Sequence, residues 1–593
     1  MRQPATISFS SPFTTFNQKN RLQEGISGIS SRGAIDGTDS DGQSTPHTMI
    51  HRLVLFLLVC WLLSPSKPDF VVSTTTGKLV GVYDAELGIT AYKGVPFAAD
   101  TSGKNRFKPP VAVTPWPGIL NASHYGPACV QEDVQFAPLQ SEDCLSLNVF
   151  VPRPRNGTTG PLPIMFWIFG GSFSMGDASN VVNDPSYFAS SQSVIVVTSN
   201  YRLGPLGFFA LSALKDKIVS EAKFDGNMGL LDQQCALKWI IANGASFGGS
   251  IEHLTLWGQS AGAMSVGLHV MTEMNSSIHS IIMESNPWGI PLRTIKQQDP
   301  VSHLFLEEIA CHGLESEWLE SCLSNVSLGA IRKGWNKCSN AVIGNAFENW
   351  RDVVGAAIVF GPVVDGSFFP SSTPFPTSLL GYFLNPLNVL PHRILLGSNA
   401  NEGATFVYSM ISEIVKDWEY PVILGVLTGK DALAVAKDYP LPANVSDSDT
   451  VRQVLSLLAT EWLFQCPTQY VGASVATQSV FLYEFAQKPT FYLEPLPSIC
   501  ANVTCHSEEL PYVWNQTEAY HFNSEEAALS LEMMKAWGTF AWGGEPWFVL
   551  EANDTIHYQE LNSDPPSHLG TWSEDRQQRC LHWLERNFEL PNH

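Results

Sequence analysis

Between His253 and Leu268 the chain passes from the apolar run His253-Leu254-Thr255-Leu256-Trp257 through Gly258-Gln259-Ser260-Ala261-Gly262 into a segment that reads as helix. A strand that turns into a helix this sharply needs glycine on both sides, because the two backbones crowd together where a Cβ would collide. Such an elbow constrains the whole chain. It belongs to a sheet whose strands alternate with crossover helices, and it forces the Ser260 side chain outward at the carboxyl end of its strand. The same Gly-x-Ser-x-Gly pattern recurs at Gly244-Ala245-Ser246-Phe247-Gly248. There it follows a helical segment, Leu230 to Ala242, and runs into Gly248-Gly249, the punctuation of a helix end and loop.

The rest of the chain supplies the sheet that the elbow requires. Short runs of strand character lie at Gly77 to Tyr83, Ile89 to Lys93, Ser146 to Phe150, Ile164 to Phe169, Val194 to Ser199, His253 to Trp257, Ser280 to Glu284, Arg393 to Gly397 and Val480 to Phe485. Several are apolar throughout, as strands covered on both faces are. Residues 405 to 465 read as helices and loops inserted between two strands, and Glu574 to Phe588 as a closing amphipathic helix. With no linker and no internal repeat, residues 70–590 are expected to form a single α/β domain: a large, mostly parallel twisted sheet flanked by helices.

Residues 1–48 are polar and rich in Ser, Thr and Gly, the composition of a disordered extension. Residues 49–66 then follow signal-peptide grammar: basic Met49-Ile50-His51-Arg52, an apolar run from Leu53 to Leu63 that is short for a bilayer, and Ser64-Pro65-Ser66. A secreted protein without a stable membrane span is expected, with Met49 as its start. Asn-x-Ser/Thr sequons at Asn121, Asn156, Asn275, Asn325, Asn444, Asn502, Asn515 and Asn553 are compatible with glycosylation in that pathway. Ten cysteines beyond Cys60, without a CxxC pair or a Cys/His cluster, favour disulfides over a metal. No metal and no cofactor is expected. A net charge of −22 with no Lys/Arg run argues against nucleic acid as a partner.

A serine can attack a carbonyl when a base takes its proton, an acid orients the base and donors await the oxyanion. Ile164 to Phe169 runs straight into Gly170-Gly171-Ser172-Phe173, where small residues let an acyl group approach backbone N–H groups. Spacing alone does not choose among the fifteen histidines.

At this point the chain resembles the type-B carboxylesterase and cholinesterase family over essentially everything after residue 70. The segments that carry the likeness are Gly94-Val95-Pro96-Phe97-Ala98, Ser141 to Val149, Asn200-Tyr201-Arg202-Leu203-Gly204, Gly226 to Gln234 and Phe247-Gly248-Gly249, in family order. The resemblance implies an α/β-hydrolase fold and a serine carboxylesterase acting on small or lipid-like carboxylic esters through a covalent acyl-enzyme. Cys505-His506-Ser507-Glu508-Glu509-Leu510-Pro511-Tyr512 is similar to the family's histidine segment and implies His506 as base; Gly397 to Gly403 is similar to its acid segment and implies Glu402. The chain order Ser, Glu, His is that of α/β-hydrolases. By the same analogy the oxyanion donors are the N–H groups of Gly171, Ser172 and Ala261. Disulfides Cys129–Cys144, Cys311–Cys322 and Cys466–Cys580 are implied, with Cys500 and Cys505 available for a fourth; Cys235 and Cys338 are left over, and Cys235 is expected to be buried. Arg106 and Glu142 resemble the family's structural ion pair.

Three departures narrow the substrate. The Cys129–Cys144 loop is short and holds no Trp to stack on a quaternary ammonium. Gln259 stands where cholinesterases place an acid, and Ser172 where the family usually has a third glycine. The first two argue against acetylcholine, and the short loop also argues against a lipase with a large lid. The rival readings are a lipase on longer acyl chains and a non-catalytic, neuroligin-like adhesion protein, which typically lacks a triad member.

Overall fold

The computed structural model describes residues 70–586, apart from 133–136, 138, 154–159, 181–183, 215–217, 220–221, 224–225, 314–315, 350–357, 367, 369–378, 386–387, 443–448, 476–478 and 548–556. The expected extension 1–48 and signal segment 49–66 lie outside the described residues.

The central sheet consists of β1 (Val82–Asp84), β2 (Ile89–Pro96), β3 (Ser146–Pro152), β4 (Leu162–Ile168), β5 (Ile195–Ser199), β6 (Gly249–Gln259), β7 (Ser280–Glu284), β8 (Arg393–Asn399), β9 (Ser479–Phe485), β10 (His557–Leu561) and β11 (His568–Thr571). Its spatial order is β11-β10-β9-β8-β7-β6-β4-β5-β3-β2-β1. From β10 to β5 every neighbouring pair is parallel, and antiparallel pairs close both edges. The parallel centre is where the apolar runs fall: every residue of β4, β5 and β7 is buried. A strand covered on both faces has no polar side to show, so continuous hydrophobicity replaces alternation.

The differences from the sequence reading lie at the edges. Gly77 to Tyr83 is not one strand: Gly77–Val80 joins a small sheet with Val71–Thr74 and Ile119–Asn121, while Val82–Asp84 becomes β1. β10 and β11 were not anticipated, because their half-exposed residues lack an apolar run. Between β8 and β9 the insertion is helical as expected: it opens with α3 (Glu402–Met410) and later runs through α4 (Thr450–Ala459) and a π-helix over Thr460–Gln465 into a last helix, Cys466–Ser474; α1 (Met228–Asn243) and α2 (Ala261–Val270) precede these, and α5 (Glu574–Glu585) is the closing helix of the domain.

The disulfides Cys129–Cys144, Cys311–Cys322, Cys466–Cys580 and Cys500–Cys505 are all formed, with Cα–Cα distances of 5.0, 5.8, 5.2 and 5.4 Å. The third fastens α5 across 114 residues of chain. Cys235 is half-buried rather than buried: it lies on the Leu231, Cys235, Lys238, Ala242 stripe, the more exposed side of an otherwise buried α1. Arg106 and Glu142 form a buried bidentate pair at 2.5 and 2.6 Å. Arg202 and Asp232 form a second one, both contacts at 2.7 Å, that was not foreseen.

Candidate active site

β6 ends in Gln259, and the chain reverses through Ser260 into α2. Ser260 sits at φ 56° and ψ −123°, a conformation that costs a non-glycine residue on the order of 1–3 kcal/mol. The fold holds it there from both sides: Ser260 N donates to Glu284 O at 2.9 Å, and Met264 N to Ser260 O at 2.9 Å. The flanking glycines have the reason anticipated for them. A Cβ on Gly258 would stand 2.5 Å from the Gly262 carbonyl carbon, and one on Gly262 would stand 2.0 Å from Ile168 O. Ser246, by contrast, lies in a 3-10 turn after α1 and heads no strand-to-helix elbow.

Glu402 and His506 reach the same region from the carboxyl ends of β8 and β9, where open α/β sheets gather their functional groups. Glu402 is fully buried at the start of α3. Its Oε1 accepts from Asn399 N at 2.7 Å, and its Oε2 lies 2.5 Å from His506 Nδ1. The histidine loop is fastened to the acid loop by its backbone: Asn401 N donates to Thr504 O at 2.9 Å, and Asn399 Nδ2 to Cys505 O at 2.7 Å. The Cys500–Cys505 disulfide closes the loop just before His506.

The third component is the turn after β4. Gly171, Ser172 and Phe173 all have positive φ, at 110°, 52° and 57°. A side chain at Ser172 is therefore strained, which explains a glycine preference there on backbone grounds alone. The N–H groups of Gly171, Ser172 and Ala261 donate no hydrogen bond to another described residue. The turn packs directly on the elbow, since a Cβ on Gly170 would lie 3.0 Å from Ser260 Cβ.

Electrostatically the site is unusual for its buried acids. Burial lowers the His506 pKa, but the Glu402 charge and hydrogen bond, with Glu509 behind them, outweigh it and leave the imidazole above its ordinary value. Burial also raises Glu284, Glu508 and Glu509, Glu508 to about 8. Trp257 and Trp537 both donate their indole N–H to Glu284, at 2.8 and 2.6 Å. Glu508 accepts from Cys505 N at 2.6 Å, and Glu509 from Asn399 Nδ2 at 2.5 Å. These supporting groups escaped the sequence reading, as did Thr405, whose Oγ1 accepts from His506 N at 3.2 Å, and the rings of Phe406 and Phe464, 5.1 and 5.4 Å from the imidazole. Only Glu508 and Glu509 carried a signal, as acids beside His506 in a segment leading into apolar residues.

The comparisons agree with this architecture. Residues 68–583 match the profile of the Carboxylesterase family. The chain is 30% identical to a cholinesterase of Mus musculus, covering 91% of each chain, and 29% identical to an acetylcholinesterase of Bungarus fasciatus, covering 90% of this chain and 89% of that one. An acylcarnitine hydrolase of Mus musculus is 29% identical, with coverage of 82% and 86%. Among solved structures, a PNB esterase superposes with a TM-score of 0.69 at 29% identity, over 86% of this chain and 99% of its own. Buried parallel strands, a strained elbow at Ser260 and a profile match running from one edge of the sheet to α5 lead to one conclusion: the chain belongs to the carboxylesterase family, a family of carboxylic ester hydrolases.

Proposed function

We propose that this chain is a secreted serine carboxylesterase that hydrolyses carboxylic esters through Ser260, His506 and Glu402 by way of a covalent acyl-enzyme. The observation that carries the reading is the 2.5 Å contact between Glu402 Oε2 and His506 Nδ1, made in a site where Ser260 is held on a strained elbow. A carboxylate at Nδ1 keeps the proton on that nitrogen and leaves Nε2 as the base.

His506 Nε2 takes the Ser260 hydroxyl proton as Oγ attacks the ester carbonyl. The N–H groups of Gly171, Ser172 and Ala261 hold the oxyanion, and Glu402 stabilises the imidazolium. Collapse breaks the bond to the alcohol oxygen, which takes the proton from Nε2 and leaves the acyl group on Ser260. Water then repeats the sequence: His506 takes its proton, the tetrahedral adduct forms and collapses, and the carboxylic acid departs as Ser260 regains its proton.

Secretion is supported by the four disulfides, by exposed sequons at Asn121, Asn325 and Asn502, and by the segment 49–66. The Trp-free Cys129–Cys144 loop and Gln259 favour esters of uncharged alcohols over choline esters. Fluorophosphonate labelling of the secreted protein tests the triad: the wild type is expected to label and Ser260→Ala not to, and equal labelling of both would refute it. A panel of acyl lengths with and without an oil–water interface decides between a carboxylesterase and a lipase. N-terminal sequencing of secreted material is expected to begin near residues 64–70.

A further inference from the structure

Gln259 precedes Ser260 at the end of β6, and its side chain is 2% exposed. Its amide is wedged between the oxyanion turn and the histidine. Oε1 lies over Gly170, where a Cβ would stand 2.7 Å from it. Nε2 lies 2.9 Å from Ser507 Oγ and 3.3 Å from His506 Nε2.

Because Glu402 faces Nδ1 at 2.5 Å, neutral His506 carries its proton there and presents a lone pair at Nε2. The Gln259 N–H points at that lone pair, whereas the Ser260 hydroxyl makes no hydrogen bond to a described residue. An imidazole nitrogen has one in-plane lone pair and accepts one good hydrogen bond, so the two donors compete for it.

We propose that Gln259 is a positioning residue that caps His506 Nε2 in the resting enzyme and yields it to Ser260 when an ester enters, its amide then resting on Ser507 Oγ alone. This rests on the triad reading above. The cap suits a neutral base: an amide N–H donates to a lone pair but opposes the N–H of an imidazolium. It therefore works against Glu402 at Nδ1 and Glu509 behind the loop, the two charges that act on the ring and favour its protonation. Thr405, Ser507 and the rings of Phe406 and Phe464 are uncharged neighbours. A carboxylate at position 259 would reverse the cap, attracting the proton it now discourages.

The test is the pH dependence of kcat/KM on p-nitrophenyl butyrate for the full-length secreted enzyme and its Gln259→Glu, Gln259→Met and Ser507→Ala variants. Gln259→Glu is expected to move the acid limb upward by about 1–2 pH units, because an opposite charge comes to face the imidazolium. Gln259→Met keeps the volume and removes the donor, and is expected to move it upward by about 0.5. Ser507→Ala takes away the amide's other acceptor and strengthens the cap, lowering kcat roughly 3- to 10-fold with KM little changed; it serves also if the Gln259 variants do not fold. Acid limbs of Gln259→Glu and Gln259→Met that superimpose on the wild type, or an unchanged kcat in Ser507→Ala, would overturn the proposal. Such a result with Ser260→Ala still inactive leaves the triad standing; activity persisting in Ser260→Ala would remove the triad reading instead.

Discussion

The ring of Phe464 lies 5.4 Å from the imidazole of His506, and it comes from a π-helix, Thr460–Gln465, rather than from an ordinary helical turn. The wider turn does two things at once. It turns Phe464 inward, where it stacks on Phe406 at 5.6 Å, and it places Thr460 Oγ1 2.8 Å from Gly403 N, beside Glu402. A π-bulge at a functional site is a recurrent use of this geometry. Phe464→Ala opens one face of the imidazole to water and is expected to lower kcat/KM about tenfold, chiefly through kcat, with a destabilisation of about 3 kcal/mol for a buried Phe. Ester turnover and thermal unfolding of the purified variant check both parts.

Glu402→Gln keeps the shape of the acid but removes its charge. The ring is then free to adopt the tautomer with its proton on Nε2, and no carboxylate stabilises the imidazolium. A fall in kcat of about 10²- to 10⁴-fold is expected, with fluorophosphonate labelling slowed in parallel. A loss below threefold would mean that Glu402 is not the orienting acid.

Ser172 occupies a left-handed backbone position beside the elbow. Ser172→Gly is expected to relieve that strain and to take a side chain away from the turn that packs on the elbow. The ratio of rates on tertiary- and primary-alcohol esters should rise about tenfold, while the rate on a small primary ester stays within about threefold of wild type. An unchanged ratio would show that Ser172 does not restrict the alcohol side.

His506 must be neutral to act as base, and Glu402 with Glu509 holds its pKa above the ordinary histidine value. Activity is therefore expected to fall as pH drops through a value above the ordinary histidine pKa of about 6.5. A profile of kcat/KM that stays flat down to about pH 4 would contradict His506 as the base.

Glu508 has its pKa raised to about 8 by burial. A group whose folded-state pKa is raised stabilises the fold below its unfolded pKa, near 4.5, and that contribution is lost as pH rises through about 8. The apparent melting temperature should therefore decline between pH 5 and pH 8. Glu508→Gln retains an acceptor for Cys505 N and is expected to flatten the decline, by roughly 1–3 °C at pH 8. An identical slope in the variant would locate the pH dependence elsewhere.

How much of this was legible in the sequence follows from the range of the forces involved. The elbow was readable because its causes are local: Gly258 and Gly262 flank a strained serine within five residues, and a buried strand announces itself by an unbroken apolar run. Glu402 and His506 were named only through resemblance, since nothing in the spacing singles out one histidine among fifteen. The half-exposed strands β10 and β11 carried no hydrophobic signature at all. What the tertiary structure alone decided was which side chains meet across the sheet: Phe464 against His506, Glu284 beneath two tryptophans, and the amide of Gln259 on an imidazole 247 residues away. Such contacts depend on strand register, on a helix wound one residue wider than usual and on loops tied back by a disulfide. Local propensity encodes none of these until the chain has closed on itself.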